Sequence, residues 1–217
     1  MEVIYHGHSW FEVSADGKDV HFDPLPDRFR RRMGIEHKPS LDRKADLVAI
    51  THSHRDHWDR RIISELMGDG TGLIAPMKAA KAYGTCAKVI AEGQVMEVDG
   101  MSIKAVPAYN IGRPFHLRGR GVGYLLTIGG KTIYHAGDTD DIPEMSSLGK
   151  VDLALLPIGG TFTMDAEGAA RSARRLSPKV VVPMHYRRRD PSELKRLLAS
   201  DAGIRVEVMR PGDTLRL

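Results

Sequence analysis

The sequence contains a single cysteine, Cys86, in 217 residues, so no disulfide can form within the chain. Chains without disulfides are typical of a reducing compartment, and we expect a cytoplasmic protein. No apolar run approaches the roughly 18–20 residues that a membrane-spanning helix needs, so we expect no membrane association. Residues 1–13 lack a basic segment followed by an apolar stretch, and we therefore expect no secretory signal.

Aromatic residues are also few, at 6%, but hydrophobic residues make up 41% of the chain and charged residues 28%. This balance excludes a disordered chain and provides enough apolar side chains for a full core. Neither an internal repeat nor a low-complexity linker interrupts the sequence, so we expect one domain over residues 1–217. The net charge of +4 is compatible with an anionic small molecule or with nucleic acid and does not distinguish them.

Short apolar runs separated by glycine and proline turns predict a chain rich in strands. The predicted strands cover residues 2–5, 10–14, 19–22, 46–50, 88–91, 94–98, 102–107, 122–128, 132–135, 151–156, 180–182 and 204–208. The predicted helices cover residues 62–67, 76–83, 165–176 and 190–199. The polar stretch up to residue 43 predicts a loop with at most a short helix. Because strands come in runs with helices interspersed, we expect an α+β fold of strand layers covered by helices.

Ten histidines contrast with the single cysteine. The motif His52-x-His54-x-Asp56-His57 directly follows a predicted buried strand. Residues i and i+2 of an extended segment point the same way, so His52 and His54 can bind one metal ion. Asp56 and His57 lie on the following turn and can bind a second ion. Imidazole and carboxylate ligands suit zinc, manganese, iron and nickel. The alternative interpretation, a solvated polar loop, does not account for this density of ligand residues.

Two metal ions need further ligands, because each takes about three to four from the protein with one position open for water. Asp138 follows the strand predicted at 132–135, and its carboxylate can bridge two cations. His185 follows the strand predicted at 180–182. We expect these strand ends to converge on one edge and to present the site on a rigid scaffold.

These segments together resemble the metallo-β-lactamase-fold superfamily, and more narrowly its lactonase-like branch of small metal-dependent hydrolases. The matching motifs are His52-x-His54-x-Asp56-His57, Gly137-Asp138-Thr139 and Pro183-Met184-His185-Tyr186. The likeness extends over nearly the whole chain, through residues 5–9, 22–24, 107–110, 155–160 and 163–165. It implies a four-layer αββα sandwich of two mixed β-sheets flanked by helices. It also implies two divalent transition metal ions per chain, with zinc expected first and manganese, nickel or iron as alternatives.

The family pattern implies a role for each ligand. The implied ligands are His52 and His54 on metal one, Asp56, His57 and His185 on metal two, and Asp138 bridging both. The family also has a third nitrogen ligand on metal one, usually a histidine just after the strand at residues 102–107. Here that segment reads Pro107-Ala108-Tyr109-Asn110, which departs from the pattern. His116 is the favoured substitute because imidazole is the better transition-metal ligand, and Asn110 is the alternative.

Other residues are candidates for supporting roles. We expect Asp56 and His185 to be catalytic, with Asp56 orienting the attacking water and taking its proton. The acid that protonates the leaving group stays open among a metal-bound water, His8 and Tyr186. Residues that can either bind a metal or hold a ligand in place are Asn110, His8, Asp23 and His135. Alternation along its strand favours His135 as a core residue.

Arginines 187, 188 and 189 directly follow Tyr186. They are either a solvated run or an anion clamp beside the metals, because guanidinium groups match phosphate and carboxylate. Tyr186, Arg187 and Arg188 are therefore candidate substrate-binding residues.

The resemblance implies a hydrolase in which a metal-bound hydroxide attacks a small, anionic ester, lactone or phosphodiester. One alternative is a nucleic-acid phosphodiesterase or nuclease, which the absence of an inserted nucleic-acid-binding arm disfavours. Further alternatives are an iron-dependent oxidoreductase and a non-catalytic metal-binding protein. We expect a small-molecule substrate as the partner, and the sequence is compatible with a homo-oligomer.

Overall fold

The structure, a computed structural model, describes all 217 residues and forms two compact units. The first unit comprises Met1–Ala91 and Met209–Leu217, and the second comprises Glu92–Val208. Each unit contains one seven-stranded mixed sheet. The expectation of one domain over the whole chain stays a prediction. No helix is long and apolar enough to span a membrane.

The chain alternates strands with short helices. The strands are β1 (Glu2–Gly7), β2 (Trp10–Ala15), β3 (Lys18–Phe22), β4 (Leu47–Ala49), β5 (Gly72–Ala75), β6 (Lys88–Val89), β7 (Val95–Val98), β8 (Met101–Pro107), β9 (Val122–Ile128), β10 (Lys131–His135), β11 (Leu153–Pro157), β12 (Val180–Met184), β13 (Arg205–Val206) and β14 (Thr214–Arg216). The α-helices are α1 (Asp27–Arg32), α2 (Arg60–Leu66), α3 (Met77–Ala80), α4 (Ala166–Leu176) and α5 (Ser192–Leu197). Two short 3-10 helices cover Gly84–Cys86 and Pro143–Ser147.

The sheet of the first unit has the strand order β14-β1-β2-β3-β4-β5-β6. It is antiparallel from β14 to β3 and parallel from β3 to β6. Strands β1, β3 and β4 therefore run in the same direction, and the segments that follow them lie at one edge of the sheet. Asp59 caps α2 by accepting hydrogen bonds from the backbone N–H groups of Arg61 and Ile62. Apolar residues of β4, β5 and α2, including Val48, Leu73 and Ile63, form a buried core.

The sheet of the second unit has the order β13-β12-β11-β10-β9-β8-β7. It is antiparallel from β7 to β10 and parallel from β10 to β13. Strands β8, β10, β11 and β12 run in the same direction, so the segments after them also share one edge. Helix α4 contacts β11 and begins at Asp165, whose carboxylate accepts a hydrogen bond from the Gly168 N–H at 2.8 Å. This matches the predicted start of that helix.

Several predicted elements are a few residues shorter in the structure, and the 3-10 helix at Pro143–Ser147 was not predicted. Three further elements differ from the sequence-based prediction. The helix predicted at residues 76–83 is only Met77–Ala80, and a turn and the 3-10 helix at Gly84–Cys86 follow it. Strand β5 was not predicted, because four residues are too few for periodicity to separate a buried strand from a helix. Strand β14 was not predicted because it has only three residues and pairs with β1 at the opposite end of the sequence, so no local pattern marks it. The short helix allowed within residues 24–43 is α1.

Candidate metal centre

In the first unit, polar side chains follow each of the three co-directional strands. His8 lies just after β1, Asp23 just after β3, and the His52-x-His54-x-Asp56-His57 motif just after β4. His8 and Asp23 both adopt positive φ angles, 59° and 46°. Non-glycine residues in this region are uncommon and cluster at functional sites. The backbone at this edge is therefore shaped to direct particular side chains.

Asp23 controls the orientation of two motif histidines. Its carboxylate accepts hydrogen bonds from the Thr51 N–H at 2.7 Å and the Thr51 hydroxyl at 2.6 Å. It also lies 2.7 Å from Nδ1 of His57, and both side chains are fully buried. Since the Thr51 hydroxyl donates to Asp23, its oxygen accepts from Nδ1–H of His52, 3.0 Å away. Asp23 thus directs Nε2 of both His52 and His57 away from itself, which is the orientation that a metal-binding histidine needs.

The motif side chains have the short spacings of ligands that share an ion. Nε2 of His52 lies 3.1 Å from Nδ1 of His54. Nε2 of His8 lies 3.3 Å from Oδ2 of Asp56, and the ring centroids of His8 and His57 are 5.3 Å apart. The ligand atoms of His8, Asp56 and His57 all lie within 4.8 Å of one another. His54 is exposed and Asp56 half-buried, so this edge is open to solvent.

In the second unit, one carboxylate oxygen lies between two imidazoles. Oδ2 of Asp138 lies 3.3 Å from Nε2 of His116 and 3.3 Å from Nε2 of His185. All three side chains are buried. They follow the co-directional strands β8, β10 and β12, whose ends share one edge of the sheet. The second unit therefore brings together the predicted bridging carboxylate and the two predicted histidines.

The length of these contacts fits ligands that share a metal ion. A charge-assisted hydrogen bond to a carboxylate is about 2.7–2.9 Å long, as between Asp23 and His57. Two ligands about 2.1 Å from a tetrahedral ion are about 3.4 Å apart. The 3.3 Å contacts of His8 with Asp56 and of Asp138 with its two histidines match the second value. Buried imidazole nitrogens and carboxylate oxygens are a donor set that fits a divalent transition metal.

Asn110 holds His116 in place. Its amide NH₂ donates to Oδ1 of Asp140 at 3.0 Å. Its carbonyl oxygen accepts from the backbone N–H of His116 at 3.2 Å and lies 2.9 Å from Nδ1 of the same residue. That nitrogen also lies 2.9 Å from the backbone carbonyl oxygen of Phe162. Nδ1 therefore carries the proton, and Nε2 of His116 faces Asp138. The amide oxygen of Asn110 is already engaged within the protein.

His185 requires a glycine beside it. It has a positive φ of 50° and is buried. A Cβ atom on Gly159 would lie 2.7 Å from the carbonyl oxygen of His185 and 3.3 Å from its Nδ1. Real Cβ atoms do not approach backbone so closely, so glycine at position 159 lets the two segments pack.

The remaining predicted site residues are placed as follows. His135 is fully buried in β10, where its Nδ1 accepts a hydrogen bond from the Gly137 N–H at 3.2 Å, as a core residue would. Tyr186 is half-buried. The guanidinium of Arg187 lies over the ring of Phe162, 5.0 Å from its centroid, and Arg188 is exposed.

A second histidine cluster in the first unit was not predicted. Nε2 of His6 lies 2.9 Å from Glu12, and its Nδ1 lies 3.0 Å from Nε2 of His37. The Trp10 N–H donates to Nδ1 of His21 at 3.2 Å. Burial lowers the pKa of His21 to about 4, although Glu12 opposes the shift. Nε2 of neutral His21 therefore carries a proton, and the contacts of this cluster form a hydrogen-bond network.

The signal for this cluster lies in strand pairing. Glu12 of β2 is the register partner of His21 in β3 and of Ile4 in β1. Side chains on one face of adjacent strands meet, but the register is not visible in the sequence alone.

Comparisons with known proteins agree with this architecture. The family model described as the beta-lactamase superfamily domain matches residues 2–185. A UPF0173 metal-dependent hydrolase of Pelotomaculum thermopropionicum is 32% identical over 100% of both chains. A solved structure from Parabacteroides distasonis is 35% identical and superimposes with a TM-score of 0.86 over 97% of this chain and 93% of its own. The metallo hydrolase Igni18 of the archaeon Ignicoccus hospitalis is 31% identical, with a TM-score of 0.78 over 99% and 97% of the two chains.

Proposed function

The chain belongs to the metallo-β-lactamase superfamily and is a metal-dependent hydrolase of that fold, and we propose that it works with two metal ions. The predictions of family and fold class are thereby confirmed. The proposed substrate is a small, anionic ester, lactone or phosphodiester, and the proposed metal is zinc. The proposed ligands are His52, His54 and His116 for metal one, Asp56, His57 and His185 for metal two, and Asp138 for both.

The position of Asp138 carries the proposal of two ions. One oxygen of its carboxylate is equidistant from a histidine assigned to metal one and a histidine assigned to metal two. Because the family pattern assigns these two histidines to different ions, Asp138 is the ligand that both ions would share. The 3.3 Å spacing on each side supports a bridging role for Asp138.

His8 is proposed as a further ligand of metal two. Its Nε2 lies 3.3 Å from Oδ2 of Asp56. The same distance separates Oδ2 of Asp138 from Nε2 of His116 and from Nε2 of His185. Its positive φ turns a buried imidazole towards Asp56 and His57 at the end of β1. Of the roles that the sequence left open for His8, this spacing supports the metal ligand.

When bound, the two ions supply Lewis acidity and a water of lowered pKa. Asp56 is half-buried, whereas His57 and His185 are buried, so Asp56 is the group that substrate and solvent reach. Its carboxylate orients the attacking water and accepts its proton. The water oxygen bonds to the carbonyl carbon or phosphorus, and the bond to the leaving oxygen breaks. Tyr186, half-buried and adjacent to His185, is the proposed proton donor to that oxygen.

The test is hydrolysis of three probes by zinc-loaded protein: p-nitrophenyl acetate, bis-p-nitrophenyl phosphate and a γ-butyrolactone. The proposal predicts turnover of at least one probe. It predicts loss of at least about 100-fold in kcat/KM for His54→Ala, because a metal ligand is removed. The matched control is His37→Gln, which removes a histidine outside the metal centre. Equal loss in both variants, or no turnover by zinc-, manganese- or nickel-loaded protein, would contradict the proposal.

A further inference from the structure

Three of the six large hydrophobic side chains that are exposed lie in one short loop, at positions 111, 115 and 117. Ile111 is 55% exposed, Phe115 45% and Leu117 46%. The buried His116 lies between the last two. Phe115 and Leu117 are thus apolar groups on either side of a buried polar residue, which is typical of a ligand-binding site.

This loop is fixed by hydrogen bonds at several points. The backbone N–H of Ile111 donates to Asp140 at 2.8 Å. The guanidinium of Arg113 donates to the backbone carbonyl of Thr161 at 2.8 Å, and the ring of His116 reaches the carbonyl of Phe162. These hydrogen bonds therefore fix the loop that carries the exposed apolar side chains.

Phe115, Phe162 and Arg187 form one contiguous surface, which we call the aromatic platform. The rings of Phe115 and Phe162 meet edge to face, with centroids 4.8 Å apart and an interplanar angle of 80°. The guanidinium of Arg187 stacks on Phe162. Arg187 has a positive φ of 51°, so the backbone is bent to place it there. Arg187 is exposed, and a guanidinium has five N–H donors, so it can bind a substrate carboxylate in addition to its contacts within the protein.

The platform adjoins two proposed metal ligands of the same unit. Phe115 directly precedes His116, Phe162 accepts the His116 hydrogen bond, and Arg187 is two residues after His185. An apolar group on these rings would lie next to His116, and an anionic group would reach Arg187.

We propose that the aromatic platform binds the apolar part and the carboxylate of the substrate. The substrate class is then an ester or lactone of a hydrophobic carboxylic acid that carries a free carboxylate. This inference rests on the proposed function, since it names the substrate of that metal centre. A small amphiphilic anion is favoured as the occupant because one arginine borders a patch of only a few apolar side chains.

The test is binding of 4-phenylbutyrate, compared with neutral 4-phenylbutanamide, measured by ligand-observed NMR titration. Metal-free protein is used first, so that a carboxylate cannot bind to the ions. Wild type should bind the acid about ten-fold more tightly than the amide, because only the acid pairs with Arg187. Arg187→Gln should remove that preference. Phe115→Ala should weaken both ligands about ten-fold.

Ile111→Ala is the matched control, because it removes an exposed apolar side chain of the same loop that lies outside the platform. It should bind both ligands within about two-fold of wild type. Phe115→Leu keeps an apolar side chain but removes the ring, and should fall between wild type and Phe115→Ala. Equal affinity of all variants, or an unchanged preference in Arg187→Gln, would overturn the proposal. The proposal would also be overturned if analytical ultracentrifugation showed that Phe115→Ala dissociates an oligomer while its affinity for both ligands stays the same.

Hydrolysis separates this inference from the proposed function. Zinc-loaded wild type should prefer p-nitrophenyl hexanoate over p-nitrophenyl acetate, and Phe115→Ala should lose about ten-fold of that preference. Binding of 4-phenylbutyrate without hydrolysis of any ester would contradict the proposed function and leave the binding role of the platform intact. Hydrolysis with equal selectivity in both proteins would contradict the platform alone.

Discussion

The carboxylate of Asp23 lies 2.7 Å from Nδ1 of His57, and both side chains are fully buried. Asp23 also reaches His52 through the hydroxyl of Thr51. A single carboxylate therefore sets the tautomer and ring orientation of one histidine proposed for each metal ion.

Replacing Asp23 by alanine should weaken metal binding about 10–100-fold, because the carboxylate behind a metal-binding histidine fixes that ring. The affinity can be measured by competition with a chromophoric chelator. Asp23→Asn is the matched control, since its amide oxygen can still accept from His57, and it should lose less. Unchanged zinc affinity in Asp23→Ala would contradict the orienting role.

Asn110 and His116 should give different outcomes when each is replaced by alanine. His116→Ala should reduce the bound metal by one ion per chain, because a ligand is lost. Asn110→Ala should keep both ions but bind them about ten-fold more weakly, because His116 loses the amide that orients it. Metal content after dialysis measures both effects. Loss of one ion in Asn110→Ala with none lost in His116→Ala would reverse the two roles.

Gly159→Ala should destabilise the protein by about 1–3 kcal/mol, because the new Cβ would lie 2.7 Å from the His185 carbonyl oxygen. Urea unfolding of the metal-free protein measures the change. Gly203→Ala is the matched control, since a Cβ there meets nothing within 4 Å. Equal free energies of unfolding in the two variants would show that Gly159 is not needed for this packing.

Stability should fall as the pH drops through the range below 6.5, partly because of His21. Burial lowers its pKa to about 4 in the folded chain, whereas the unfolded chain accepts a proton at about 6.5. The folded state therefore loses roughly 2 kcal/mol between pH 6.5 and 4.5, and less than about 0.5 kcal/mol above 6.5.

His21→Asn tests this pH effect, because the asparagine oxygen can still accept from the Trp10 N–H but does not titrate. The variant should lose correspondingly less stability between pH 7.5 and 4.5 when both metal-free proteins are unfolded in urea. Parallel losses in the two proteins would show that His21 does not carry the effect.

Much of this molecule is predictable because its signals are local. Alternating and continuous apolar runs place most strands, and Asp165 marks the start of α4. The density of ligands after β4 predicts a metal site before any fold is known. The arrangement of Asp138, His116 and His185 follows from strands that end at one edge.

The parts that sequence could not predict depend on strand register and on turns. The contact of Asp23 with Thr51 arises because β3 and β4 are parallel neighbours. The role of Asn110 depends on a loop that folds back to bring His116 beside it. The network around His6 and His21 needs the pairing of three strands. None of these pairings leaves a periodic pattern in the sequence.

The most direct test of the account is the metal content of the reconstituted protein by elemental analysis. Wild type should bind two zinc, manganese or nickel ions per chain, with one lost in His54→Ala and one lost in His185→Ala. His37→Gln, which leaves the proposed ligands in place, should keep two. One ion or none in a folded wild type after reconstitution, or two ions in both ligand variants, would contradict the two-metal centre.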